Sequence, residues 1–207
     1  MKKVITIGRE FGSGGREIGR RIAEKLQIAY YDQEIVTEIA KRTKFSEEYV
    51  ERITEDRPYM AYTIHTGMSF HTAYYAYTEF ERVFTVFAEQ HNMIKELAER
   101  SDCVIVRRCA DYILKEKDPF RIFVYADAES KLKRCRERSP ENENLSDSKI
   151  RRNIRAIDKG RARYYNYFSR QKWGARENYD LLINTSGKDV KQVSEAVAGY
   201  LKRYLFE

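Results

Sequence analysis

The stretch Val4-Ile5-Thr6-Ile7-Gly8-Arg9-Glu10-Phe11-Gly12-Ser13-Gly14-Gly15-Arg16-Glu17-Ile18-Gly19-Arg20-Arg21-Ile22 decides the fold. A short β-branched run leads into a loop with glycines at positions 8, 12, 14 and 15. A helix follows, with Ile18, Ile22 and Leu26 spaced to share one face. Strand, glycine loop, helix is the arrangement that aims free backbone N–H groups and a helix N-terminus at one point. The guest that suits such a point is an anion, most often phosphate. Glycine permits the close approach and the positive φ that the cradle needs. A tight strand–helix turn without chemistry is the plainer alternative.

The loop departs from the usual nucleotide-binding pattern G-x-x-x-x-G-K-[ST]. Aligned on Gly12-Ser13-Gly14, the lysine position holds Gly15, and Arg16 and Glu17 follow. Gly8 stands one residue too far upstream. The phosphate-binding lysine and the magnesium-binding hydroxyl are both missing from their places. Arg16 or Arg9 can supply the positive charge, because guanidinium forms bidentate bonds to phosphate oxygens. Ser13, Glu10 and Glu17 are the nearest groups to a metal, whose ligands the sequence leaves unknown.

The chain has 207 residues, 42% of them hydrophobic and 34% charged, which suits one domain with a real core. No apolar run approaches the roughly 18 residues that cross a membrane, so no membrane partner is expected. The start, Met1-Lys2-Lys3 before the first apolar run, is too short for a secretory signal. Three cysteines, Cys103, Cys109 and Cys135, lack metal-like spacing. The expectation is a reduced, cytoplasmic protein. A net charge of +7 admits either a nucleic-acid surface or arginines converging on a polyphosphate. The second is favoured, because arginines cluster in the glycine loop and in residues 151–163 and no nucleic-acid motif accompanies them.

In chain order, strands are expected at residues 4–8, 28–31, 103–106, 121–125 and 180–184. Helices are expected at 14–26, 33–43, 46–53, 80–97, 128–138 and 190–204, with a long helix at 147–168 interrupted near Gly160. Residues 57–78 show neither period. Their tyrosines and phenylalanines (Tyr59, Tyr62, Phe70, Tyr74, Tyr75, Tyr77) suit core, a contact within a homo-oligomer, or base stacking. Short, wholly apolar strands alternating with helices predict a parallel sheet covered on both faces. Ligands bind such sheets at the carboxyl ends of the strands. Asp32, Arg107-Arg108, Asp127 and Asn184 follow apolar runs and are expected beside the loop. Gln90 is expected to point into that crevice, Cys109 and His91 to be packed, and Trp173-Gly174 to anchor the chain before the last strand.

Residues 5–19 resemble the opening of the cytidylate kinase-like family, a branch of the P-loop nucleoside monophosphate kinases. Tyr31-Asp32, residues 103–114, Ile157-Asp158-Lys159-Gly160-Arg161-Ala162-Arg163-Tyr164-Tyr165, Lys172-Trp173-Gly174 and residues 179–186 extend the match along nearly the whole chain. The resemblance implies a three-layer α/β/α P-loop NTPase fold with a five-stranded parallel sheet in the order 2-3-1-4-5. It implies a single domain spanning 1–207, with a helical acceptor-binding insertion near 33–90 and a lid near 136–165. The implied reaction moves the γ-phosphoryl of ATP, with Mg2+, to a nucleoside monophosphate or another small phosphorylatable acceptor. Such transfer needs alignment, exclusion of water and positive charge more than covalent chemistry from the protein.

The same resemblance distributes roles. Gly8, Gly12, Ser13, Gly14, Gly15, Arg16 and Glu17 form the nucleotide-binding loop. Asp158 and Arg161 resemble the D-S-x-R lid element, whose aspartate reads cytosine and whose arginine holds phosphate. Arg16, Arg155, Arg161 and Arg163 are the candidate catalytic cations, with Arg155 one position out of register. Arg108 resembles the arginine of the G-R-[DC] turn that holds substrate phosphate, although Arg107 replaces its glycine. Asp32 resembles the aspartate of L-D-[ST]-G-x-x-Y-R, but Gln33 and Glu34 replace the next two residues and Glu38 stands in the arginine's place. These departures leave the acceptor open. A nucleotide-binding regulatory protein without transfer chemistry, and less readily a nucleic-acid-associated protein, remain as alternatives.

Overall fold

The computed structural model describes residues 2–55, 70–138 and 145–207. Strands β1 (Val4–Arg9), β2 (Ala29–Tyr31), β3 (Cys103–Val106), β4 (Phe120–Tyr125) and β5 (Leu181–Asn184) form one parallel sheet in the order β2-β3-β1-β4-β5. The helices are α1 (Gly15–Leu26), α2 (Gln33–Thr43), α3 (Glu47–Glu55), α4 (Phe70–Arg100), α5 (Ala110–Ile113), α6 (Ala128–Arg138), α7 (Asp147–Ser169) and α8 (Val190–Leu205). The expected three layers and strand order are both present. Among the described residues, no helix is long and apolar enough to cross a membrane.

β1 is central, with Ile5 in register with Val104 on one side and Phe120 on the other. Both sheet faces are covered, so these strands read as apolar throughout instead of alternating. On one face Ile5, Ile7, Val104, Val106 and Ile122 pack against Ile18 and Ile22 of α1 and Ala198 and Leu201 of α8. On the other, Val4, Cys103 and Ile105 lie under Ile35, Ile39, Ile94, Ile113 and Tyr164. Each fully buried isoleucine contributes about 1.5–3 kcal/mol by leaving water. A third, smaller cluster of Leu132, Ile150 and Ile154 joins α6 to α7.

Three expectations change. α7 runs unbroken from Asp147 to Ser169 through a buried Gly160. A mid-helix glycine costs only about 1 kcal/mol relative to alanine. Buried Ile150, Ile154, Tyr164 and Tyr165 outweigh that along the same helix. α4 starts at Phe70, ten residues before the apolar stripe that begins at Phe80. There the β-branched and aromatic residues, weak helix formers, concealed the period. β1 continues to Arg9, so Gly8 lies inside a strand. Tyr59 and Tyr62, the side chains of Phe70, Tyr74, Tyr75 and Tyr77, and residues 139–144 lie outside the described residues.

Candidate functional site

Between β1 and α1 the chain turns through Gly12 (φ 75°) and Gly14 (φ 83°), both left-handed. Gly14 caps α1 without a side-chain bond. A Cβ there would come within 2.8 Å of the Val190 side chain, and one at Gly12 within 3.1 Å of the Lys131 carbonyl oxygen. The loop therefore needs glycine for its dihedrals and for its packing. Ser13 turns inward and donates to the Glu10 carbonyl at 2.8 Å, so its buried hydroxyl is not presented to a ligand. Over the loop opens a cavity of about 390 Å³. Arg9, Phe11, Gly12, Gly14 and Arg16 line one side; Arg134 and Arg138 of α6 and Asn153 and Ile157 of α7 line the other.

α7 is tied to the underside of this loop. The Phe11 N–H donates to Asp158 Oδ1 at 2.6 Å, and Lys131 Nζ donates to Asp158 Oδ2 at 2.7 Å and to Glu10 Oε2 at 3.0 Å. Burial works against the Lys131 ammonium, but the bonds from Asp158 and Glu10 hold its pKa above the ordinary value. Glu17 is engaged as well, with Arg21 at 2.9 Å and Arg138 at 2.7 Å. Lys131 belongs to no motif. Its one sequence signal is that it shares the inner face of α6 with Cys135, one turn on.

Beside the loop five arginines from four parts of the chain converge: Arg9 at the end of β1, Arg16 in α1, Arg107 and Arg108 after β3, and Arg161 in α7. Asp32, buried at the end of β2, stands among them. Its carboxylate accepts from Arg16 Nε at 2.5 Å and from Arg107 Nη2 at 2.7 Å. Burial alone would raise the Asp32 carboxyl, but Arg107, Arg16 and Arg9 overcome it and hold the group well below the usual carboxylate range. The arginines are pushed the other way. Burial, then the like charge of Arg161, brings Arg9 down to about 9. Burial brings Arg161 down to about 10, against the pull of Asp158 and Asp32. Guanidinium is the side-chain cation that keeps its proton under such crowding. The cluster carries more positive charge than Asp32 offsets, and that surplus is the electrostatic signature of an anion site.

The turn that delivers two of these arginines is strained. Arg107, Arg108 and Cys109 have φ of 72°, 64° and 53°, three successive left-handed residues without a glycine. Such conformations cost of order 1–2 kcal/mol per residue and persist where surrounding contacts dictate them. Here the Arg107 N–H donates to the Ile7 carbonyl at 2.9 Å. Gln90, fully buried in α4, donates from Nε2 to the Arg108 carbonyl at 2.8 Å and accepts from Tyr164 Oη at 3.3 Å. Arg108 Nη1 donates to Thr54 Oγ1 of α3.

A sequence model of the cytidylate kinase-like family matches residues 4–187. The chain belongs to this family. Among solved structures, an uncharacterized protein from Eubacterium ventriosum ATCC 27560 is 26% identical with a TM-score of 0.68, covering 97% of this chain and 99% of that one. A shikimate kinase from Acinetobacter baumannii in complex with shikimate is 16% identical with a TM-score of 0.54, covering 100% and 96%. A shikimate kinase from Bacteroides thetaiotaomicron is 16% identical with a TM-score of 0.55, covering 98% of each chain. At that identity the shikimate kinases show the fold alone. No curated protein matches the sequence significantly. The fold is that of a P-loop kinase of the nucleoside monophosphate kinase type.

The residues named from sequence are placed differently by the structure. Gly12, Gly14 and Arg16 line the loop cavity, while Gly15 packs against the Arg9 side chain and Gly8 lies within β1 beneath Phe123. Asp32, Arg108 and Arg161 meet in the arginine cluster, and Arg107 joins them on Asp32. Arg155 and Arg163 are exposed on α7 and line neither the cavity nor the cluster in this structure. Asp158 stands beneath the loop, both oxygens engaged. Asp127 and Asn184 turn aside to Ser186: the Asp127 N–H donates to Ser186 Oγ at 2.7 Å, and Asn184 Oδ1 accepts from it at 2.6 Å. Gln90 braces the turn from behind instead of entering the crevice. Cys109 is buried, with its thiol pKa pushed up by burial, as a packed residue should be. Trp173 sits edge-on to Phe123 at 5.1 Å.

Proposed function

We propose that this member of the cytidylate kinase-like family is a phosphotransferase that moves the γ-phosphoryl of ATP to a nucleoside monophosphate or another small acceptor. The observation that carries the reading is the convergence of Arg9, Arg16, Arg107, Arg108 and Arg161 on one carboxylate, next to a glycine loop with a large open cavity. Phosphoryl transfer places charge on the equatorial oxygens of the migrating group, and fixed cations in a dry site stabilise it. In this reading the loop glycines and the N-terminus of α1 hold the donor's phosphates. Arg16 and Arg9 supply the charge that a loop lysine would. Arg161, carried on α7, completes the site from the lid side, with residues 136–165 acting as that lid and 33–90 as the acceptor-binding insertion.

The family implies magnesium. The described residues contain no group of three or more His, Cys, Asp or Glu side chains able to hold an ion. Ser13, Glu10 and Glu17 are all committed to protein partners, and Asp32 is shared between two arginines. These residues do not fit a protein-held magnesium.

The test is a coupled phosphotransfer assay across nucleoside monophosphates and small hydroxylated or carboxylated acceptors, with ATP binding followed by calorimetry. Turnover of one acceptor class above ATP hydrolysis is the expected result. Tight ATP binding without turnover of any acceptor would leave a nucleotide-binding regulatory protein, a reading favoured by the lysine-free loop.

A further inference from the structure

The side of α7 that faces away from the sheet is a ridge of cations. Lys149, Arg152, Arg155, Lys159, Arg163 and Arg170 are all exposed there. At 3.6 residues per turn they fall within about one third of the helix circumference, and residues 149–170 span about 32 Å. Arg155, Lys159 and Arg163 follow one another at steps of about 6 Å. Between Ser148 and Arg170 the chain holds a single carboxylate, Asp158, which is taken up by the Phe11 N–H and Lys131. The remaining cations of α7 are offset by neighbours: Arg151 pairs with Glu129 of α6 at 2.8 Å, and Arg161 is drawn by Asp158 and by Glu51 of α3. Among the described residues, none of the six ridge cations forms an ion pair. At the C-terminal end of the ridge stand three exposed rings. Tyr167 of α7 is 42% exposed, and Phe84 and Phe80 of α4 are 39% and 41% exposed. Phe84 lies edge-on to Tyr167 at 6.4 Å, and Phe80 follows at 4.6 Å from Phe84.

We propose that this outer face of α7 binds single-stranded nucleic acid, with the backbone along Arg152, Arg155, Lys159 and Arg163 and one or two bases on Tyr167 and Phe84. A positive track for the phosphates, leading to aromatic rings for the bases, is the combination that single strands require. The step between successive cations is short enough for neighbouring phosphates of an extended strand to meet one each. A duplex keeps its bases stacked, and inorganic polyphosphate has none, so neither would use the rings. The net charge of +7 is thus divided between two faces of the molecule. One set of arginines surrounds Asp32, while the ridge cations line neither the loop cavity nor the space behind the arginine turn. The proposal therefore does not depend on the kinase reading.

The experiment follows fluorescence anisotropy of a labelled twelve-nucleotide oligothymidylate with the full chain, across a potassium chloride titration. With four phosphates engaged, log K should fall against log salt concentration with a slope of about −3. Arg155→Ala, Lys159→Ala and Arg163→Ala combined should lower affinity at least about tenfold and flatten the slope to about −1. Tyr167→Ala should weaken binding about tenfold with the slope unchanged, and it decides the matter if the triple variant does not fold. Binding should persist with a saturating ATP analogue. Displacement by that analogue would put the strand in the loop cavity. A duplex of equal length binding as tightly, or a Tyr167→Ala variant that binds like wild type, would reduce the ridge to a general polyanion surface. Either result, or no binding at low salt, overturns the single-strand site, whereas the kinase reading is decided by the phosphotransfer assay.

Discussion

At Arg107 the chain places a large cation in a left-handed backbone turn, a conformation that suits glycine. The backbone after β3 must turn back beneath Ile7, and glycine does so without steric penalty. Arg107 accepts the penalty and places a guanidinium on Asp32. Asp32 is thus central to the cluster, and its titration can be followed. Its folded-state pKa is depressed, so its contribution to stability is full above the ordinary aspartate value near ~3.9 and is lost as pH falls through the folded value. Asp32→Asn should cost about 3 kcal/mol at pH 7, because the arginines are left with an uncompensated buried charge. In urea denaturation the gap between wild type and variant should narrow below about pH 4. A gap of equal size at pH 7 and pH 3 would mean that Asp32 titrates alike in the folded and unfolded chain, so that the arginines do not hold its carboxyl down. Asp32 and Arg108 were legible from the family pattern. The pairing of Arg107 with Asp32 was not, because it joins residues 75 apart in the chain.

Among the elements, α7 carries the most consequential contacts. Its apolar stripe, Ile150, Ile154, Tyr164 and Tyr165, could be read from spacing alone, and so could its place after the polar segment 139–144. What spacing could not show is that Asp158 and Arg161, three residues apart on one side of the helix, serve different ends. One fastens the helix to the loop through Phe11 and Lys131; the other reaches the arginine cluster. The Lys131–Asp158 pair is mostly buried, with side chains 11% and 14% exposed. Lys131→Met should therefore destabilise the protein by about 3 kcal/mol in equilibrium denaturation. Asp158→Asn combined with it should recover part of that loss, since the orphaned carboxylate is removed with its partner. Additive losses in the double variant would show that the two side chains do not interact.

At the scale of the whole molecule, the parallel sheet gathers residues from positions 9, 16, 32, 107, 108 and 161 at one edge, because every strand ends there. If closure of α7 over that edge completes the catalytic site, Arg161→Ala should lower kcat by at least about 10²-fold with a smaller rise in KM. Arg155→Ala and Arg163→Ala, on the exposed side of α7, should leave both constants within about twofold. Steady-state kinetics on whichever acceptor turns over will read this, and an unchanged kcat in Arg161→Ala would remove that residue from the mechanism.

Local period and turn chemistry determined the alternating strands and helices, the sheet covered on both faces and the glycine loop; short motifs carried the family resemblance, and the strand order came only as what that resemblance implies. The sequence also marked the missing lysine. Only the tertiary structure decided which arginines meet, that Arg155 and Arg163 stand apart, and that Lys131 braces the loop. The physical reason is that burial and charge pairing are properties of distances between elements. Arg161 and Arg163 differ by two residues in sequence, yet two residues on a helix rotate a side chain by about 200°, from the packed edge of the sheet to water.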